Sequence, residues 1–171
     1  MSDAAATQLS PLLRTGLDAL AFSRRLMDGL VQATPGEEFF LPACEGTNHA
    51  GWVAGHIANT DAGLMQAVGG PKSMLNPRWN ELFGDGSTCT AGPSAYPSRD
   101  EIIDTLARTR AALRDWLSGL SEAELLEPIE GDLGRFANSR AMLMSSIAFH
   151  EGFHSGQASV ARRANGLPSL F

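Results

Sequence analysis

His150 and His154 stand four residues apart in the run His150-Glu151-Gly152-Phe153-His154. On a helix this spacing stacks two imidazoles on one face about one turn apart, where both can ligate one ion from the same side. Leu143, Ile147, His150, His154, Gln157 and Ala161 step by four, three, four, three and four, the inward seam of a bundle helix. His56 has Val53, Ile57 and Thr60 as its inward neighbours in an earlier helical segment. Three imidazoles aimed into one apolar core would each leave desolvated polar atoms, at roughly 1–3 kcal/mol apiece. One shared divalent ion satisfies all three. A lone core histidine would read as bonded to backbone or hydroxyl; a pair at i and i+4 with a third on another helix points to a metal. His49 precedes His56 by seven residues, about 10 Å along a helix axis, too far to share the ion.

The same run matches the His-Glu-x-x-His pattern of zinc proteases, with Glu151 as general base. Those enzymes take a third ligand from downstream of the helix. Residues 155–171 contain no His, Asp or Glu, so a third ligand must lie upstream, and the protease reading fails. Glu151 sits about 80° from the midpoint of the two histidines, where it either supports a ligand or is simply exposed. Gln157 faces the seam and can bond a ligand or pack. Asp61 reads as a surface or interhelix residue, with a supporting role at the site as the alternative.

Four segments have the period needed to position these groups. The first runs from about Gln8 to Gln32 on a stripe of Leu9, Leu13, Leu17, Leu20, Met27 and Val31, and the second from about His49 to Val68. The third starts at Ser98-Arg99-Asp100-Glu101, a capping-box pattern, and continues to Leu120. The fourth starts near Asn138 or Ser139, both good N-caps, and stops at Gly166 before Pro168. Residues 33–48, 69–97 and 121–138 read as loops. Trp79, Leu82 and Phe83 suggest one short helix in the second of these, and Ser121 with Glu124 another in the third. An antiparallel helix pair needs only about 2–8 connecting residues, so the long 69–97 insert predicts a crossover. The expected fold is an all-α, up-down-down-up four-helix bundle spanning residues 1–171 as one domain.

Of the 171 residues 43% are hydrophobic and 19% charged, which is enough apolar material for a core, and the net charge is −6. The only basic clusters are the pairs Arg24-Arg25 and Arg162-Arg163, which argues against a nucleic-acid partner and against an anionic membrane surface. The start of the chain has no signal-peptide pattern and no run is long enough to span a membrane. Cys44 and Cys89 form no paired motif, so a reducing cytoplasm is expected.

The stretches Asn48-His49-Ala50-Gly51-Trp52-Val53-Ala54-Gly55-His56-Ile57 and His150-Glu151-Gly152-Phe153-His154-Ser155-Gly156-Gln157 resemble the second- and fourth-helix motifs of the DinB-like superfamily, also called the YfiT-like metal-dependent hydrolases. Trp79 to Gly84, Tyr96-Pro97-Ser98 and Arg162 to Pro168 carry weaker likeness, so the resemblance covers most of the chain from about residue 48. It implies an up-down-down-up bundle, often a homodimer, with a three-histidine site for zinc, nickel or a similar ion. Carried over by position, the ligands are His56, His150 and His154. Relatives include thiol-dependent S-transferases and a mycothiol-dependent isomerase, and the family name implies no DNA binding.

Three neutral histidines leave open positions on a metal, the pattern of a catalytic site. The leading expectation is a thiol transferase whose small-molecule substrate is a low-molecular-weight thiol, with Arg162 or Arg163 holding its carboxylates or else simply capping the helix end. Metal-assisted hydrolysis is the alternative, and a non-enzymatic metal- or ligand-binding stress protein is a third.

Overall fold

The structure is a computed structural model that describes residues 9–170. Among these residues the fold is all-α, with six α-helices, three 3-10 helices and no strand. The helices are α1 (Pro11–Gln32), α2 (Ala50–Ala67), α3 (Pro77–Phe83), α4 (Arg99–Ser118), α5 (Glu122–Leu126) and α6 (Arg140–Ala164). No helix is long and apolar enough to cross a membrane.

Local chemistry sets the ends. The Leu13 amide donates to Ser10 Oγ at 3.2 Å ahead of Pro11, and the Met142 amide to Ser139 Oγ at 3.2 Å. Ser98 caps α4 through the Glu101 amide at 3.2 Å, while the full reciprocal box forms at Ser121 and Glu124. α6 ends in a Schellman turn: the amides of Gly166 and Leu167 donate back to the carbonyls of Arg163 and Arg162. Gly166 adopts φ 81° there, a backbone that glycine tolerates without a Cβ clash. The segment expected to begin at Gln8 begins at Pro11 among the described residues. The stretch read as loop between α1 and α2 contains a 3-10 turn, Glu37–Phe40, whose two phenylalanines are buried. Phe39 and Phe40 pack there against Gly51, where a Cβ would meet both rings.

Contacts between α1 and α6 rise together along both helices: Gly16 lies against Met144, Ser23 and Arg24 bond Glu151, and Thr34 bonds Arg162. α2 and α4 pair in the same sense, Asp61 with Arg110 and Gly70, just past α2, beside Trp116. Between α2 and α6 the order reverses: Asn48 with Gln157, His56 with His150, and Val68 with Arg140.

The four long helices meet at a closed ring of buried charges, one from each. Arg24 of α1 donates to Glu151 of α6 at 2.6 Å and to Asp61 of α2 at 3.1 Å. Arg110 of α4 grips Asp61 through two nitrogens at 2.8 and 3.1 Å and Glu151 at 3.0 Å. Ser23 Oγ donates to Glu151 at 2.5 Å. Arg24 Nη1 also donates to the Leu106 carbonyl and Arg110 Nη1 to the Leu20 carbonyl. Burial works against the charge on Arg110, but Asp61 and then Glu151 outweigh it and hold its pKa above the ordinary value. The ring separates two apolar clusters. Met27, Ile57, Leu106 and Ala158 belong to one, with Phe39, Trp52 and Phe83. Leu20, Met65, Leu113 and Ile147 belong to the other, with Leu17 and Met144.

Removing one member strands a buried opposite charge, a loss of about 3–5 kcal/mol. Arg110→Met is therefore expected to lower unfolding free energy by that amount in urea titrations. A change under about 1 kcal/mol would show that the ring does not hold the helices.

Candidate metal centre

α2 and α6 bring His56, His150 and His154 together; their ring nitrogens lie within 4.8 Å of one another. His150 Nε2 is 3.2 Å from His56 Nε2 and 3.1 Å from His154 Nε2. Nitrogens about 2.0–2.1 Å from a tetrahedral ion would stand about 3.3 Å apart, so the spacing fits one ion. His56 and His154 are each 8% exposed, and His150 is half-buried.

The outer nitrogens decide which lone pairs face inward. A carbonyl only accepts, so the contact of His56 Nδ1 with Phe83 O at 2.7 Å places the proton on Nδ1. Gln157 Oε1 accepts from Asn48 Nδ2 at 3.1 Å and from His154 Nδ1 at 3.1 Å. Both Nε2 lone pairs then converge on His150 Nε2. One imidazole proton there cannot serve two acceptors fully, whereas a cation serves all three nitrogens. Outer hydrogen bonds of this kind fix the tautomer of metal-ligating histidines.

Two walls hold His56. The Trp52 ring stacks on it at 4.8 Å with planes 9° apart, and Trp52 Nε1 donates to Ser87 Oγ at 3.1 Å. Phe83 belongs to α3 in the long insert, and Gly55 makes room for its ring: a Cβ there would overlap it. Burial lowers the pKa of His56. Burial, helped by the neighbouring imidazoles, lowers His150 and His154 to about 4. All three are neutral at pH 7, the ligating form.

The other expected residues take different places. His49 caps α2: its Nδ1 accepts from the Trp52 amide at 2.9 Å and its Nε2 donates to Thr90 O at 3.1 Å, so both nitrogens are used away from the trio. Glu151, expected to support a ligand or be exposed, does neither. It is fully buried and turned into the ionic ring, because its helical position faces α1 and α4. Asp61 is an interhelix residue but buried rather than at the surface. Gln157 orients His154. Arg162 is 2% exposed and donates to Thr34 Oγ1 at 2.7 Å and to Pro168 O at 3.4 Å. Its guanidinium therefore braces the helix end rather than facing a substrate, and Arg163 is exposed beyond it.

A groove of about 430 Å³ is lined by Ala43, Thr47, Asn48, Phe153, Gln157 and Val160 among others; none of the three histidines lines it, and Gln157, which bonds His154, connects the two. Its lining holds no charged side chain.

Ring members Arg24 and Arg110, and the Phe83 carbonyl, escaped the sequence reading. The arginines did leave a signal. Leu17, Leu20, Arg24, Met27 and Val31 step by three, four, three and four, and Leu106, Arg110, Leu113 and Leu117 by four, three and four. A charge on an apolar seam marks a buried pair. The Phe83 carbonyl leaves none, because any residue type supplies it.

Burial holds His49, His150 and His154 at about 4 when folded, while unfolded imidazole titrates near 6.5. Between those values the unfolded chain binds more protons, so metal-free stability from these groups is present above about 6.5 and is lost as pH falls toward 4. Urea midpoints of metal-free protein are expected to drop across that window; a flat profile would contradict the lowered imidazoles of His49, His150 and His154. His49→Ala should cost about 1 kcal/mol as a lost helix cap without changing metal content.

No curated protein matches the chain. A family model described as the DinB superfamily matches residues 19–158, which span the ring, His56, His150 and His154. The chain belongs to the DinB superfamily.

Proposed function

We propose that His56, His150 and His154 hold one divalent ion, zinc or nickel, through their Nε2 atoms, and that the protein is a thiol-dependent transferase. The supporting observation is the convergence of three neutral Nε2 atoms whose outer nitrogens are tied to Phe83 and Gln157. We read the four long helices as an up-down-down-up bundle of one domain, with the α2–α4 insert as its crossover; the rising and reversed contact orders support that reading. The free thiols of Cys44 and Cys89 fit a reducing cytoplasm.

A bound ion supplies Lewis acidity, which lowers the pKa of a thiol or water at its open position. The protein's own groups prepare the place. Trp52 and Phe83 keep water from one side of His56. Phe153 and Val160 offer apolar surface in the adjoining groove, and Asn48, Thr47 and Gln157 offer neutral hydrogen-bonding groups. The uncharged lining suits the neutral part of a small thiol or its electrophile. In the transfer a sulfur–carbon bond forms, the leaving group departs with its electron pair, and the thiol proton passes to water.

Hydrolysis through Glu151 loses support, since that carboxylate is fixed by Ser23, Arg24 and Arg110. Metal-assisted hydrolysis by a bound water without Glu151 is the second reading, with a metal- or ligand-binding protein as the non-enzymatic outcome.

Metal stoichiometry by mass spectrometry on untagged protein should give one ion per chain. His56→Ala, His150→Ala and His154→Ala should each reduce retention at least tenfold, since one of three ligands is gone. Conjugation of small thiols to an aryl chloride should then need the metal. Wild type that takes up neither zinc nor nickel would overturn the site; a loaded protein without thiol turnover would overturn the transferase and leave the binding role.

A further inference from the structure

Arg162, expected to hold a substrate carboxylate, is spent on the end of α6. Another arginine, from the loop before α6, lines a recess that adjoins the three histidines. The recess measures about 450 Å³ and is lined by Arg135, Phe136, Met142, Ser145, Ser146 and Phe149, a volume in the range of small-molecule sites. Phe136 is the wall it shares with the trio: its ring stands edge-on to the His150 ring, with centroids 6.2 Å apart and planes at 86°. Phe149 directly precedes His150, and Ser146 lies one turn before it. His150 is also the histidine of the three that is only half-buried.

The lining pairs one charge with apolar surface. Among the described residues of the lining Arg135 alone is charged. It is exposed and has no carboxylate partner among the described residues. Phe149 and Met142 offer apolar faces that are 74% and 49% exposed, and Ser145 adds an exposed hydroxyl. The segment that carries Arg135 is fixed without a ligand. Its ends pair in an antiparallel bridge between Pro128 and Ser139, and the Ile129 amide donates to the Asn138 carbonyl at 3.0 Å. Gly134 lets the 3-10 turn Asp132–Arg135 close on the Ile129 carbonyl, which a Cβ would meet at 2.5 Å. Ser146 Oγ then ties the Phe136 carbonyl to α6 at 2.7 Å. A backbone held in this way loses little further freedom when a small molecule binds.

The recess and the neutral groove flank His150 along α6. The recess uses helix residues from Met142 to Phe149 and the groove those from Phe153 to Val160. One guanidinium fits one carboxylate through two parallel hydrogen bonds. A phosphate dianion would call for a second cation, and an uncharged molecule would leave Arg135 unused. We propose that the recess is a subsite for a small carboxylic acid, with its carboxylate on Arg135 and its apolar body on Phe136, Met142 and Phe149 beside His150. The neutral groove then takes the uncharged partner. That the acid is one of two substrates rests on the transferase reading; that it binds at Arg135 does not.

Calorimetric titration of phenylbutyrate and of its neutral amide into the full chain, metal-free and zinc-loaded, tests the subsite. The acid is expected to bind about fivefold more tightly than the amide in both forms, the scale of one arginine–carboxylate pair at the edge of an apolar recess. Arg135→Gln should abolish that preference while amide binding, zinc content and the far-UV spectrum stay as in wild type, because the position is exposed. Arg135→Lys should retain part of the preference, and Arg163→Gln all of it. An acid that binds no more tightly than the amide, or a preference that survives Arg135→Gln, would overturn the proposal. A preference seen only with zinc bound would place the carboxylate on the ion and overturn it equally. An Arg135-dependent preference in a protein that takes up no zinc would uphold the subsite while the metal reading fails.

Discussion

The ring of Arg24, Asp61, Arg110 and Glu151 is the constraint on which the rest of the structure depends. Each long helix contributes one charge, and the signs alternate around the ring. Four ions taken from water face a desolvation penalty of several kcal/mol each, so the arrangement holds only if every donor and acceptor is met. The carbonyls of Leu20 and Leu106 and the hydroxyl of Ser23 complete the set. Apolar side chains on either side would tolerate small rotations and slips of one helix on another, whereas the paired geometry between Arg110 and Asp61 does not. The ring thus supplies register where the two apolar clusters supply adhesion.

That register is also what brings the three histidines together. Glu151 follows His150 directly, so fixing its carboxylate fixes the rotation of α6 at the level where His150 and His154 face α2. Asp61, five residues beyond His56, does the same for α2. The final orientation of each ring is local. The insert, through Phe83, supplies the acceptor that sets the His56 tautomer, and the Asn48–Gln157 pair sets that of His154. The long connection between α2 and α4 therefore has a chemical task, the Phe83 carbonyl on His56. The same layout explains why the His-Glu-x-x-His run is not a protease helix: its glutamate belongs to the ring.

Much of this was legible in the chain. The four-three alternation from Leu143 to Ala161 exposed the inward face of α6 and with it two histidines, and the stripe around His56 exposed the third. The helix ends followed from Ser98, Ser121, Ser139 and Gly166, because caps are local chemistry. Glu151 was not placed correctly, since its environment is made by residues about 40 and 127 positions away, and one helix carries no information on what faces its flank. Phe39 and Phe40 were read as loop for a similar reason: their burial depends on the missing side chain of Gly51. Arg24 was seen only as part of a basic pair, although its place on the Leu17–Val31 stripe distinguished it from Arg25.

X-ray absorption spectroscopy of the zinc-loaded protein tests the central claim most directly. The account predicts a first shell containing three imidazole nitrogens at about 2.0–2.1 Å, with the outer-ring scattering of three histidines and at least one further light ligand. Imidazole scattering from fewer than three rings, or a shell of carboxylate and water oxygens, would contradict the account by showing that the three converging nitrogens are not where the ion binds.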